Sequence, residues 1–392
     1  MNQWMNMADG ALMHTYNRFP LVLTKGEGVY LYDDEGKKYL DFGAGIAVFG
    51  LGYGNKKFNQ AVKDQVDQIV HTSNLFYTIP LAKAASKLVK ASGMDEVFFT
   101  NSGTEAIEGA VKLARKYAWQ KHPGTKSEII AMQHSFHGRS MGALSVTGNA
   151  HYQEAFKPLV GGVKFAEFNN LESVLSQMTD ATCAVLLEPV QGEGGIFPAK
   201  KEFLEGIRKA CDERDIVLIF DEIQCGMGRT GSMYAYEQYG VKPDILATAK
   251  ALGNGLPVGA FAAVKKVGDA FEPGDHGTTY GGNPLACAAV DAVLTIFEED
   301  RIVEHVQEVA PYMIEKLDSL AAASDKIVER RGLGLMQGLE LAVPVGPVVK
   351  EAMNRGLITM SAGGNVLRLV PPLVIEKEHV DEMIAILTQI LG

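Results

Sequence analysis

The run Ile216-Val217-Leu218-Ile219-Phe220, closed at once by Asp221-Glu222, decides how this chain folds. Five consecutive apolar residues with no polar alternation predict a strand buried on both faces, the habit of parallel sheets covered by helices. Working outward, the pattern recurs. Val97-Phe98-Phe99, Glu128–Met132, Ala184–Leu187 and Ile245-Leu246-Ala247 are further runs of strand length. Amphipathic stretches such as Thr104–Trp119 and Lys201–Arg214 lie between them and predict helices. Strands alternating with helices place the chain in the α/β class, with a mainly parallel central sheet.

The flanks differ from this middle. Thr24–Phe42 predicts a hairpin, with Val29–Tyr32 and Lys38–Asp41 on either side of the turn Asp33-Asp34-Glu35-Gly36. Beyond about Asn283 the pattern changes to a helix over Asn283–Phe297, another helix, and short strands near Gly334–Leu341 and Leu367–Val370. The expected division is an N-terminal segment, 1–54, a large domain, 55–282, and a smaller α+β C-terminal domain, 283–392.

The 392 residues, 47% of them hydrophobic, suffice to bury a large core. A net charge of −10 without any basic run argues against a nucleic-acid partner. A small anionic substrate would then depend on local arginines. No apolar run approaches the roughly 20 residues of a membrane span, and the start does not pattern as a secretory leader. Cys183, Cys211, Cys225 and Cys287 form no C-x-x-C pair, so free thiols in a reducing, cytoplasmic setting are expected. His134 and His137 stand three apart, but no carboxylate or cysteine at suitable spacing joins them. They read as structural histidines, and no metal is expected.

Polar residues follow the apolar runs directly: Thr100–Gly103, Glu188, Asp221 and Lys250. Ligands of open α/β sheets bind at the carboxyl ends of the strands, so these groups are expected to converge on one crevice. Ser102-Gly103-Thr104 opens a helix after a strand. It reads either as a phosphate site built on free amides or as an ordinary N-cap. The spacing of a nucleotide P-loop is absent, and Gly52-Tyr53-Gly54 lacks the third glycine of a dinucleotide fingerprint. That argues against a nucleotide-dependent oxidoreductase. Asp221, partly desolvated, needs a cation such as a protonated pyridine nitrogen; a helix cap, or a metal site shared with Glu222, is the alternative. Lys250 at a strand end reads as a desolvated, nucleophilic amine or as a surface lysine. One cofactor unites the three functional readings. Pyridoxal phosphate has a phosphate, an aldehyde that bonds a lysine, and a ring nitrogen that pairs with an acid. The intact Asp221–Lys250 pair also argues against a non-catalytic scaffold.

Five blocks then carry a resemblance. VLIFDEIQCGMGRTG (Val217–Gly231) and ATAKALGNGLPVGA (Ala247–Ala260) resemble class III, ornithine-type, pyridoxal phosphate aminotransferases. So do NSGTEAIEGAVKLARK (Asn101–Lys116), SFHGRSMGALSVTG (Ser135–Gly148) and HGTTYGGNPLAC (His276–Cys287). The likeness runs from about Tyr16 to the C-terminus. It implies a fold-type I transferase, with Lys250 binding pyridoxal phosphate as a Schiff base and then moving the proton. Ser102, Gly103 and Thr104 would hold the phosphate, Phe136 would stack on the ring, Asp221 would pair with the ring nitrogen, and Gln224 would bond the ring hydroxyl. Thr279 would reach the phosphate of a neighbouring subunit's cofactor, which implies a homodimer with shared active sites, and Thr278 would lie beside the substrate. Arg139 and Arg368 would read carboxylates, and Glu193 would cover Arg368 whenever a substrate lacks one. FHGR, the short length and GGNVLRLVPPLVI (Gly363–Ile375) narrow the expected amino donor to N2-acetyl-L-ornithine, with 2-oxoglutarate as acceptor, in arginine biosynthesis. Ornithine, succinylornithine, succinyldiaminopimelate and 4-aminobutyrate are the competing donors.

Overall fold

The computed structural model describes residues 2–392. Its centre is a seven-stranded sheet in the order Glu96–Thr100, Gly259–Ala263, Ile245–Thr248, Val217–Asp221, Thr182–Leu187, Glu128–Met132, Val163–Ala166. Six strands run parallel; Gly259–Ala263 runs against both of its neighbours. The expectation of a mainly parallel sheet is met.

The run that predicted this sheet shows why it is covered on both faces. Val217 and Ile219 join one apolar cluster with the helix Gly103–Lys121, while Leu218 and Phe220 join another with the helix Lys201–Arg214. Side chains alternate faces along a strand, so a run without polar gaps can be buried only between two layers of helices. Gly109 lets the first helix approach closely, because a β-carbon there would overlap the ring of Phe261.

Two strands of the sheet fall outside the sequence-based assignment. Val163–Ala166 is an edge strand, and Gly259–Ala263 inserts between Glu96–Thr100 and Ile245–Thr248. The second reads GAFAA, and its small residues give a weak hydrophobic signal. At Gly259 the smallness has a cause in the fold: a β-carbon there would collide with the carbonyl oxygen of Ser102.

The predicted hairpin forms as Tyr30–Asp33 paired with Lys38–Asp41, with Leu23–Glu27 added on its outer side. Lys38–Asp41 also pairs in parallel with Leu357–Ile358, so the two ends of the chain share one sheet. A second antiparallel sheet, Ile327–Leu333, Met336–Leu341, Val366–Leu369 and Met360–Ala362, belongs wholly to the C-terminal part. The helix Pro284–Glu299 packs on Lys56–Val66 and Ile79–Ser92. No helix among the described residues is long and apolar enough to cross a membrane.

Ile219 is fully buried at the middle of the sheet, paired with Ile245 and Leu186. Ile219→Ala is expected to destabilise the chain by about 2–5 kcal/mol. A urea unfolding curve reads this as a lower midpoint, and an unchanged midpoint would contradict this placement of the strand.

Candidate active site

The carboxyl ends of the parallel strands open on a cavity of about 460 Å³. Of the residues singled out in the sequence, Ser102, Gly103, Thr104, Phe136, Arg139, Asp221, Gln224 and Lys250 line it. Thr278 stands at its edge, its hydroxyl 3.4 Å from the side-chain Nδ2 of Asn101. Thr279 lies outside the cavity and is exposed. Glu193 and Arg368 sit behind Gln224.

The helix Gly103–Lys121 points its N-terminus into the cavity. Ser102 caps it, its hydroxyl accepting the Glu105 amide at 3.3 Å. The N-cap reading is therefore met, and it is compatible with the other one. The first amides of a helix have no intrahelical acceptor, so those of Gly103 and Thr104 remain as anion donors. Gly103 is needed here because a β-carbon would press on Ile223, two residues past Asp221. The helix end and the acid-bearing loop are thus packed against each other.

Asp221 ends its strand 3% exposed. One oxygen accepts the Ile223 amide at 3.0 Å, and the other lies 2.7 Å from Nδ1 of His137. His137, read from sequence as structural, is the direct partner of the acid. Its own amide is held by the Thr147 hydroxyl at 2.9 Å, while its Nε2 is buried without a partner among the described residues. Glu222 turns the other way and accepts the Tyr236 amide at 2.8 Å, so it caps a helix and does not pair with Asp221 around a metal.

Lys250 directly follows Ile245–Thr248 and Ala249, with φ at +49°. A side chain rarely adopts that backbone, and such strain concentrates at functional sites. Burial lowers its amine to about 8, against the opposing pull of Glu193. Glu188, also on the cavity wall, is pushed up to about 7 by burial, with His137 drawing it back down. Sequence reasoning noted Glu188 only as one polar residue at a strand end. Its placement one strand over from Asp221 was the available signal.

Arg368 forms an ion pair with Glu193 and donates to Gln224 Oε1 at 3.1 Å; Gln224 donates in turn to Glu193 at 3.2 Å. Gln224, expected to bond a ring hydroxyl, is therefore held in this side-chain cluster. Burial would raise the Glu193 carboxyl, but Arg368 prevails and holds it below the usual range. Arg368 is 3% exposed, so its charge is matched by Glu193 and not by water. Arg139 is exposed at the cavity mouth, its guanidinium 3.9 Å from the ring centre of Tyr152 and 5.3 Å from that of Phe136.

Val48 completes the wall from a segment that sequence patterns do not reveal. Ala44, Gly45, Ile46 and Ala47 all take positive φ, between 47° and 67°. Each non-glycine residue there costs about 1–2 kcal/mol. The buried Asp41 carboxylate offsets this by accepting the Gly43 and Ala44 amides at 2.8 and 3.0 Å.

Residues 11–391 match the aminotransferase class-III family. The chain is 47% identical to an acetylornithine aminotransferase of Methanocaldococcus jannaschii, an alignment covering 99% of this chain and 97% of that one. Among solved structures, an ornithine aminotransferase of Toxoplasma gondii superposes with a TM-score of 0.94 at 28% identity, over 98% of this chain and 93% of the other. An N-acetylornithine aminotransferase of Stenotrophomonas maltophilia gives a TM-score of 0.85 at 36% identity, over 98% and 97%. The chain belongs to the class-III aminotransferases.

Proposed function

We propose that this protein transfers the terminal amino group of N2-acetyl-L-ornithine to 2-oxoglutarate, in two half-reactions on one pyridoxal phosphate. The observation that carries this reading is a single cavity joining a helix N-terminus, a buried carboxylate and a lysine with no hydrogen-bonding or ionic partner among the described residues. Pyridoxal phosphate supplies a carbonyl conjugated to an electron-withdrawing ring, the chemistry that amino-group transfer needs.

The residues present fit that group. The Gly103 and Thr104 amides, with Ser102, would hold its phosphate. Phe136 would stack on the ring. Asp221, fixed by His137, would keep the ring nitrogen protonated, and Gln224 would take the ring hydroxyl. Lys250 would hold the aldehyde and, once displaced by the donor amine, carry the proton away from the donor carbon on Nζ. At a pKa of about 8, roughly a tenth of the amine is neutral at pH 7, whereas an ordinary lysine is almost wholly charged.

Arg139 would take the carboxylate of the acetylated donor, since a guanidinium matches a carboxylate with two parallel bonds. Arg368, closed off by Glu193, would open to the second carboxylate of glutamate and 2-oxoglutarate. One site could then accept substrates of different charge in turn. Residues 55–282 would carry the cofactor, while 283–392 contributes Arg368 and 1–54 the Val48 wall. Leu75, Phe76, Tyr77, Ile79 and Tyr280 are largely exposed, on two segments that Asn74 joins by donating to the Gly281 carbonyl at 2.8 Å. An apolar surface of this kind suits a second copy of the chain, with Thr279 reaching the partner's cofactor and Thr278 serving the substrate. The four buried free thiols suit a reducing cytoplasm.

Purified protein should be yellow, with an absorbance band that borohydride abolishes and that Lys250→Ala lacks. A colourless protein that takes up no pyridoxal phosphate would refute the cofactor. Acetylornithine should give a higher kcat/KM than ornithine or 4-aminobutyrate with 2-oxoglutarate; another donor in the lead would overturn the named substrate and leave the class standing. In cofactor-free protein, labelling of Lys250 by an amine reagent, followed by mass spectrometry, should reach half its maximum near pH 8. Half-labelling near 10.5, as for solvated lysines, would contradict its desolvation. Arg139→Lys should raise the KM for acetylornithine about tenfold or more through the lost two-pronged contact, with the colour kept. Bleaching of the enzyme would show that Arg139 serves the cofactor instead.

A further inference from the structure

Glu188 is the buried acid on the cavity wall to which the reaction above gives no task. It follows the strand Thr182–Leu187 and is 5% exposed. Its hydrogen bonds come from two main-chain amides on different loops. Oε2 accepts the amide of Phe136, and Oε1 the amide of Gly192, each at 3.2 Å. The first loop carries the ring that would stack on the cofactor. The second carries Glu193, which covers Arg368.

The two loops touch elsewhere as well. Gln191 donates to the Gln133 carbonyl at 2.9 Å, and a β-carbon at Gly194 would meet the His134 carbonyl oxygen at 2.6 Å. The Glu188 carboxylate bonds the amide of Phe136 itself and that of Gly192, the residue before Glu193. Two converging N–H groups need two acceptor oxygens. A glutamine of the same shape would present one oxygen and one NH₂, so one buried amide would face a donor and lose its partner.

We propose that Glu188 is a positioning residue which ties the Phe136 loop to the Glu193 loop, so that the cover on Arg368 closes to one fixed place. The proposal rests on the transaminase reading with Glu193 as a movable cover. It has an asymmetric consequence. A donor with no carboxylate near Arg368 needs that buried charge matched by a seated Glu193. Glutamate brings its own carboxylate and displaces Glu193, so the seat of the loop matters less.

The test measures the two half-reactions separately on the yellow holoenzyme. Glu188→Gln should raise the KM for acetylornithine about tenfold, the scale of one lost buried hydrogen bond to a charged group, while kcat/KM for glutamate stays within about twofold. In a Glu193→Ala background the same change should add little to the donor defect, because its route of action is already gone. Equal slowing of both half-reactions, or full additivity with Glu193→Ala, would overturn the proposal. Should Glu188→Gln fail to fold, hydrogen exchange on the wild-type holoenzyme decides. Segments 133–137 and 190–195 should change protection together when glutamate is added; protection that changes in one segment alone refutes the tie. A wild-type protein without the yellow band fails the underlying transaminase reading instead, before any variant is compared.

Discussion

His137 Nδ1 lies 2.7 Å from Asp221 Oδ2, and most of the site depends on that contact. The strand Val217–Asp221 is packed between two helical layers, so the carboxylate at its end enters the cavity with little water to solvate it. An acid in that position is stable only if its charge is matched and its oxygens are bonded. His137 serves one oxygen and the Ile223 amide the other, which leaves the carboxylate a single orientation. Thr147 holds the histidine loop in turn. A base placed over Asp221 would meet an acid already fixed, with no reorganisation left to perform at the moment of reaction.

The remaining charges around the cavity follow two opposite arrangements. Arg368 is buried and paired with Glu193, which suits a cation that must be silenced during part of a cycle. Lys250 is desolvated and has no hydrogen-bonding or ionic partner among the described residues, which lowers its affinity for a proton and leaves its amine available. The structure thus keeps one cation quiet by pairing it and another reactive by leaving it alone. Backbone strain follows the site as well: Lys250 lies on the cavity wall, and the left-handed turn Ala44–Ala47 leads directly into Val48, which lines it.

Much of the fold was legible because burial on both faces leaves a one-dimensional trace. Ile216–Phe220, Glu128–Met132 and Ala184–Leu187 all became central strands, and Lys201–Arg214 is a helix with the predicted bounds. Gly259–Ala263 was not legible. Its glycine, Gly259, answers to the carbonyl of Ser102, a constraint from another part of the chain. The pairing of the N-terminal hairpin with Leu357–Ile358 was hidden for the same reason, as no local pattern records which distant strand completes a sheet.

The site divides along the same line. The sequence by itself determined which chemistries stand at the strand ends: a capped helix start at Ser102, an acid at Asp221, an amine at Lys250, a carboxylate at Glu188. Those follow from residue type and local periodicity, which neighbouring residues settle among themselves. Only the tertiary structure decided the partners. Asp221 meets His137 across 84 positions of sequence, and Glu193 meets Arg368 across 175. Whether a charge is matched, left bare or tied between two loops depends on what the fold brings within about 3 Å of it, the range of a hydrogen bond, and sequence spacing does not encode that distance.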